Sequence, residues 1–407
     1  KERLERPSLG VNLSEKLQEV PGLLARERQN YAQDLQVSVR GFGARATFGI
    51  RGIRLFLDGV PATMPDGQRQ VSNFNLASAG RIEVLRGPFS ALYGNAAGGV
   101  ISVFTADGAD SPGLRLTLGG GSDGARRETL DWRGADGGLD YVLDYTHFRT
   151  NGYREHSAAA RDSFNARLKY SPGESDRLVL VANALDSPEA EDPLGLTAGQ
   201  MEEDPRQAPA AALLFDTRKS VRQQQLGLVW EHDFSSGVGL RLQVHAGERR
   251  VVQFLSVPPA AQANPLSGGG VVDLDSNFVG ADLRWSFETQ AAGRALRLVL
   301  GLDADRQRQD RLGFENFLGS ELGVRGALRR DQLDAVGNSD WYFQGEWTLS
   351  DATELMAGVR RSRVHFDSDD RYITAANPDD SGRVDYAATT PVLGISHRLG
   401  KAWTAYA

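Results

Sequence analysis

Few side chains in this sequence are spaced for chemistry, and those few bound what the protein can do. The six histidines, His147, His156, His232, His245, His365 and His397, are scattered with no pair at ligand spacing. There is no cysteine, which removes thiol catalysis, disulfides and Cys-ligated zinc. No GxSxG, HExxH or P-loop lysine occurs. In the acidic run that begins Asp273-Leu274-Asp275-Ser276-Asn277 the next residue is Phe278, where an EF-hand loop needs glycine. Met64 is a soft sulfur donor, but no cysteine or histidine cluster accompanies it, so copper ligation has little support. Asp367-Ser368-Asp369-Asp370 reads as a solvated loop. The chain is therefore expected to be no enzyme, to hold no metal of its own and to need no cofactor. Asp58 and the arginines Arg40, Arg51 and Arg86 carry two readings, substrate chemistry or structural pairing.

The elements around these residues are short and irregular up to about residue 106. Asn12-Leu13-Ser14 opens a short helix with Ser14 as N-cap, Leu17 and Val20 on one face, and Pro21-Gly22 as its stop. Gln36–Arg40 and Ile50–Leu57 read as strands, separated by a glycine-rich loop from Gly41 to Gly49. Asp58-Gly59-Val60-Pro61 is a turn, and a polar loop from Ala62 to Gln70 follows it. Leu76–Ala79 reads as a helical turn. From Arg81 to Thr105 the pattern is strand, tight turn, strand: Ile82 and Val84 alternate, Arg86-Gly87-Pro88 breaks the run, Ala91-Leu92-Tyr93-Gly94 turns, and Val100–Phe104 forms the second strand.

The wording of that stretch is more specific than its pattern. IEVLRGP, then SALYG, then AAGGVISVFT resembles the end of the plug domain of TonB-dependent outer-membrane receptors. Val39-Arg40-Gly41-Phe42, Ile50-Arg51-Gly52 and Leu57-Asp58-Gly59-Val60-Pro61 stand upstream in the order that family uses. The resemblance covers residues 12 to 105 at motif level. It marks Arg40, Gly41, Arg51, Gly52, Asp58, Gly59, Arg86, Gly87, Pro88, Tyr93 and Gly94 as structural plug positions, the arginines pairing with carboxylates of a surrounding wall and Asp58 closing a turn.

From Gly113 onward the period is two. Leu139, Tyr141, Leu143 and Tyr145 alternate with polar neighbours, as do Val238, Leu240, Leu242, Val244 and Ala246 against Arg241, Gln243 and His245. Val279–Phe287 and Leu296–Leu302 repeat the pattern. Such strands set one face in apolar and one in polar surroundings, which suits either a soluble sandwich or a membrane barrel. Link lengths favour the barrel. Short links, near 134–138, 171–175, 233–237, 290–293, 350–352 and 399–401, alternate with longer ones at 150–160, 187–218, 250–272, 307–335 and 367–386. Only the first hairpin, 119–124, is short on the long side. Tyr145, Tyr170, Trp230, Trp285 and Trp347 are expected near strand ends as aromatic girdles.

The expected fold is all-β with a small α+β domain: a plug over residues 1–106 inside an antiparallel transmembrane β-barrel whose N-terminal part is 112–407. About 12 to 13 strands are present, against the roughly 22 of plugged transporters, so the chain is expected to be part of a longer protein. The resemblance implies a receptor in the outer membrane of a Gram-negative bacterium. Such a receptor would bind a ferric siderophore or another scarce chelate outside and import it with energy from TonB and its inner-membrane complex. Cobalamin, haem or a glycan are alternative cargoes, and a passive channel or adhesion barrel is the rival class. Partners are then TonB, the extracellular metal chelate and outer-membrane lipid, with the receptor a monomer. Net charge of −7 gives no basic footprint for nucleic acid. By position, the ligand-facing residues are those of the two plug loops: Arg45 and Phe48 in the first, Thr63, Met64, Asp66, Gln68 and Arg69 in the second. Arginine there suits an anionic chelate.

Overall fold

The computed structural model describes residues 8–28, 30–46, 49–68, 74–86, 90–94, 96–400 and 403–407. Phe48, Arg69, Gly87 and Pro88, named above, lie outside the described residues. The first hundred residues build a small mixed unit. Helix α1 (Ser14–Leu17) precedes an antiparallel pair, β1 (Leu23–Arg26) and β2 (Gln36–Val39). Strands β3 (Ile53–Leu57), β4 (Val60–Pro61), β5 (Ala79–Leu85) and β6 (Gly99–Thr105) form a second sheet in the order β4-β3-β6-β5, with helix α2 (Ser90–Tyr93) between β5 and β6. β3 and β6 are parallel, which the intervening crossover permits.

Ser14 does not cap α1; Leu13 holds that position without a side-chain bond. Glu15 does the capping instead. Its carboxylate accepts from the backbone N–H groups of Gly10 (2.6 Å), Val11 (2.8 Å) and Asn12 (2.9 Å), which gathers three donors that would otherwise be orphaned at the helix start. Residues 76–78 form a turn that leads directly into β5 rather than a helix. β1 has no counterpart in the sequence reading, because four residues are too few for a period to show.

The rest is one curved antiparallel wall. Its strands are β7 (Gly113–Gly120), β8 (Arg126–Asp136), β9 (Leu139–Thr150), β10 (Ala159–Tyr170), β11 (Asp176–Glu191), β12 (Arg218–Ser235) and β13 (Val238–Phe254). They continue with β14 (Val271–Ala291), β15 (Arg294–Phe314), β18 (Leu328–Ser350), β19 (Thr353–Asp370), β20 (Gly382–Arg398) and β21 (Thr404–Tyr406). A small hairpin, β16 (Phe317–Leu318) and β17 (Glu321–Leu322), decorates the β15–β18 link. Neighbours in the chain are neighbours in the wall, thirteen strands among the described residues, and β7 and β21 are its unjoined edges.

Burial is inverted relative to a soluble sandwich. Leu116 is 64% and Leu302 51% exposed, whereas Gln243 is 2% and Arg360 1%. Apolar side chains point away from the enclosed unit and polar ones towards it, the arrangement of a barrel in lipid. The apolar core belongs to the plug: Leu13, Leu17, Val37, Val39, Ile53, Leu55, Leu57, Ile101 and Val103 cluster there, and among the described residues the wall adds Val181 and Val229, with Val179 packed against them. Tyr170, Trp230 and Trp347 lie near the short-turn ends of their strands, but Tyr145 sits mid-way along β9.

Links alternate as expected, yet the long ones shrink: 187–218 is 192–217 and 367–386 is 371–381, so that the acidic run Asp367–Asp370 ends β19 instead of lying in a loop. The expected loop 250–272 is only 255–270, and 307–335 is 315–327, because pairing continues through Phe254↔Val271 and Phe314↔Leu328. The outward positions there are charged (Glu248, Arg250, Arg306, Arg308), so the apolar alternation fades while the backbone ladder runs on.

Wall and plug touch closely at Gly227 of β12. A methyl group at that position would come within 2.5 Å of a Val60 side-chain carbon. Gly227→Ala is therefore expected to cost about 1–3 kcal/mol in plug seating by overpacking. Thermal unfolding should show a loss that Val60→Ala in the same chain largely restores; a double variant no better than the single would assign the cost elsewhere.

Candidate functional site

Two of the regions in which the plug meets the wall differ in their chemistry. The first is an ion-pair network at mid-height. Arg54, pointing from β3, lies 3.6 Å from Asp303 and 3.7 Å from Asp305 of β15, and its guanidinium also donates to the Tyr93 carbonyl at 3.2 Å. Asp303 is shared with Arg360 of β19 (3.4 Å), which in turn pairs with Asp340 of β18 (2.6 Å) and donates to the Leu92 carbonyl (3.4 Å). Gly94, at φ +66°, presses against that guanidinium: a Cβ there would sit 3.1 Å from it. Arg241 of β13 donates to the Gly59 carbonyl (3.0 Å) and pairs with Asp282 (3.2 Å), which accepts from the Tyr342 hydroxyl (2.7 Å).

A cavity of about 180 Å³ lies among Arg54, Phe56, Tyr93, Arg241, Asp282 and Asp303, roomy and polar enough for several waters. A larger one of about 630 Å³ shares Leu92, Arg241 and Arg284 with it and reaches Glu174 and Asp176 at the short-turn end. The plug is thus seated on wet, charged ground.

Asp58, at φ +50° in the β3–β4 turn, accepts from the Thr105 N–H (2.8 Å) and hydroxyl (2.6 Å) and so ties the turn to the end of β6. Burial pushes its carboxyl up, and the Thr105 bonds oppose that push. Just beyond, Asp107 is held below the usual carboxylate range by hydrogen bonds from Lys169 (2.8 Å) and Arg167 (3.0 Å), against a smaller effect of burial. The plug arginine that meets wall carboxylates among the described residues is Arg54, not Arg40, Arg51 or Arg86. Arg86 donates to the Pro21 carbonyl, and the backbone of Arg40 donates to Gly22. Arg40 and Arg86 line a cavity at the short-turn end with Glu288, Glu346 and Glu354. Arg51 is exposed, and Gly52 pairs with Gly98 through its carbonyl (2.8 Å).

The second region is the long-loop end. Thr63, Met64, Asp66 and Gln68 share one tight turn, closed by bonds from Met64 N–H to Gln68 (2.9 Å), from Gly67 to Met64 (2.9 Å) and from Gln68 to the Asp66 carboxylate (2.8 Å). Gln307 of β15 accepts from the Asp66 N–H (3.3 Å) and Asn338 of β18 donates to the Pro65 carbonyl (2.9 Å), so the wall holds this turn. Arg45 is elsewhere. It is exposed on the 41–46 turn, which folds back on β2 through Gln36 and the Ala44 carbonyl (2.9 Å), and no described contact joins it to Thr63–Gln68.

A segment that the sequence reading passed over takes the neighbouring place. Residues 27–35, linking β1 to β2, reach the upper wall: Asp34 pairs with Lys219 (3.0 Å), Gln33 donates to Asp192 of the long 192–217 loop, and the Tyr31 ring packs 5.0 Å from Phe148. Arg249, buried on the inner face of β13, donates to Gln223 and lies within the fields of Asp34 and Asp66, one from each plug loop. One of its guanidinium nitrogens, Nη2, has no hydrogen-bond partner among the described residues. The wall alternation that places Arg241 and Gln243 inward also places Arg249 inward, so the period of two carried the signal for it. Around this end the loops brace one another. Arg154 donates to the carbonyls of Leu194, Pro193 (3.0 Å) and Gln207 (2.8 Å), Arg206 pairs with Asp123 (3.0 Å), and buried Asn316 bonds Leu255 (2.5 Å) and Gln262 (2.6 Å).

A plug of mixed sheet, seated by ion pairs inside an outward-apolar antiparallel wall with one crown of long loops, is the architecture of a plugged outer-membrane receptor. Residues 1–100 match the family described as TonB-dependent Receptor Plug Domain, and residues 104–407 match the TonB-dependent receptor-like β-barrel. The chain belongs to the TonB-dependent receptor family. Among solved structures it is similar to the unliganded ferric citrate transporter FecA, with a TM-score of 0.80 at 20% identity over 97% of this chain and 59% of that one. The ferric yersiniabactin uptake receptor FyuA from Yersinia pestis matches at 0.73 and 18%, over 98% and 61%. The copper transporter OprC matches at 0.73 and 15%, over 98% and 61%. The chain thus spans about three-fifths of the length of these structures, and the likeness is one of fold.

Arg54→Met should leave Asp303 and Asp305 without their plug partner beside a cavity that water can enter, at a cost of about 1–3 kcal/mol in plug seating. Denaturant-induced exposure of a labelled plug residue measures it. Adding Asp303→Asn should recover part of the loss through the coupling of the pair, and strict additivity would dissolve the pairing.

Proposed function

We propose that this chain forms the plug and adjoining strands of an active outer-membrane importer, which binds a ferric siderophore at the long-loop end and passes it inward with energy from TonB. The long loops face outside and the short turns face the periplasm, where Arg40 and Arg86 sit near the mouth. The observation that carries this reading is the seating of the plug. A passive pore gains nothing from a domain that fills it, and an adhesion barrel needs none. A plug docked by ion pairs and polar cavities, with its own apolar core kept to itself, can be displaced without exposing a dry interface.

Cargo recognition falls to the turn Thr63–Gln68, with Arg69 after it, and to Arg249, Asp34 and Gln33 around it. Arginine at this end favours an anionic chelate, through charge-assisted hydrogen bonds to carboxylate or catecholate oxygens. Arg45 stands apart from this group, and variants of Arg45 and Phe48 separate the two plug loops.

Growth of the producing bacterium on iron-starved medium, with and without the gene, against a panel of ferric siderophores, tests the reading directly. Loss of growth on one chelate names the cargo. No defect on any siderophore moves the assignment to cobalamin, haem or a glycan, with binding to the purified receptor as the next measurement. For the chelate found, Arg69→Ala and Arg249→Gln should each weaken binding by roughly tenfold or more, the worth of one hydrogen bond to a charged group. Arg45→Ala is the comparison: an equal loss would return the 41–46 turn to the binding surface, and no loss in any of the three would remove the anion-binding assignment.

A further inference from the structure

Another contact between plug and wall lies just before β5, and its charges do not balance. Asp144 of β9 faces the plug and is 1% exposed. The side-chain amide of Asn75 donates to its Oδ1 and to the Thr146 hydroxyl (3.3 Å). Strand register sets Asp131 of β8 on one side of Asp144 and Asn165 of β10 on the other, with Asn183 of β11 next to Asn165. All four side chains are buried. The inward arginines two residues away along β8 and β10 are taken: Arg133 holds Asp131 (2.6 Å), and Arg167 is shared by Asp140 and Asp107 (3.0 Å). Asp144 has no ion pair among the described residues, and its Oδ2 has no hydrogen-bond partner there.

Two neighbours share that condition. The Oδ1 atoms of Asn165 and Asn183 are buried and likewise without a partner among the described residues. The plug fixes the orientation of Asn165. Its side-chain N–H groups donate to the hydroxyls of Ser78 (3.0 Å) and Thr105 (3.3 Å). Those hydroxyls are themselves donors, Thr105 to Asp58 (2.6 Å) and Ser78 to the Asn75 carbonyl (3.4 Å), so neither would serve Asn165 Oδ1 if the amide were turned over. Three acceptor oxygens on adjacent strands thus lack a donor, and one of them belongs to a buried carboxylate.

We propose that this row, Asp144, Asn165 and Asn183, binds one sodium ion, and that the ion ties the plug to the wall. A buried ionised carboxylate needs a counter-charge. The row offers hard oxygens alone, which suit a hard cation rather than copper or zinc. One carboxylate balances a monovalent ion. Calcium would leave positive charge uncompensated, since Asp131 already answers Arg133. A proton on Asp144 would cancel the charge, but its single O–H serves one amide oxygen and leaves the other bare. Asp144 and Asn165 are also held by the plug, through Asn75, Ser78 and Thr105, so unseating the plug breaks the ion's surroundings. The expectation of no resident metal rested on residue spacing, and one carboxylate among amides has no spacing to show. The site stands on how plug meets wall and is independent of the cargo.

The test uses the full-length receptor purified from the outer membrane in choline chloride. Equilibrium dialysis with radiolabelled sodium should show saturable binding of one ion per receptor. Asp144→Asn should weaken it by roughly tenfold or more, and Asp186→Asn, on the outer face, should not. At constant ionic strength, the share of receptors whose plug is open to protease should fall tenfold for each tenfold rise in sodium above half-saturation. No saturable sodium binding overturns the site, as does a plug equally closed in sodium and choline. Closure that follows acidification in choline and ignores sodium assigns the place to a proton and overturns it too. Should Asp144→Asn fail to assemble, Asn183→Ala keeps the carboxylate and should still weaken sodium binding by roughly tenfold, the worth of one ligand to a charged group; unchanged affinity overturns the shared site.

Discussion

Asp303 stands between an arginine of the plug and an arginine of the wall, 3.6 Å from Arg54 and 3.4 Å from Arg360, and the rest of the arrangement follows from that position. A plug inside a membrane barrel cannot be held by a shared apolar core, because the wall must spend its apolar residues on lipid. What the wall has left to offer inward is polar. Removing charges from water is costly unless they meet opposite charges in good geometry, so the contacts are organised as a connected set. Asp340, Asp305 and Asp282 take further donors, and backbone carbonyls of Gly59, Leu92 and Tyr93 join the set. The two cavities beside this set keep water close at hand. Such an interface is specific in register and weak towards sliding, which is what the proposed import role asks of it.

The long-loop end is organised on the opposite principle. Its loops brace one another through buried side chains such as Asn316 and through the fan of carbonyls around Arg154, so the crown is held by its own contacts. Beneath the crown the two plug loops, 27–35 and 62–68, are each fixed to a different part of the wall, by Lys219 and by Gln307 with Asn338. Arg249 is placed where both carboxylate-bearing loops act on it. A change of charge above it would act on both loops.

Much of this was open to reading from the sequence. The alternation of strands and the asymmetry of their links held up because each outward residue meets lipid and each inward one meets water or plug. Those are two environments different enough to write a clean period of two. The motif stretches at Asp58-Gly59 and Leu92-Tyr93-Gly94 were visible because they need special backbone angles or room beside an arginine. Other features were hidden for equally physical reasons. Strand ends past the bilayer lose the apolar signal although their hydrogen bonds continue, which shortened β13, β14, β15 and β18 and left Arg249 close to an imagined loop. Ser14 looked like a cap, but three backbone donors converge on the longer side chain of Glu15.

By itself the sequence determined the class of protein and the direction in which the side chains of the apolar barrel band point, since composition and period are local properties written residue by residue. Which arginine meets which aspartate was decided only in three dimensions. Arg40, Arg51 and Arg86 have the family wording, yet Arg54 reaches the wall, because pairing across 249 residues of chain (303 − 54) depends on how β3 lies against β15. The same holds for the pairing of Asp34 with Lys219 and for the hold of Gln307 and Asn338 on the turn Thr63–Gln68. Each is a meeting of residues distant in sequence, and register and packing, not pattern, bring them together.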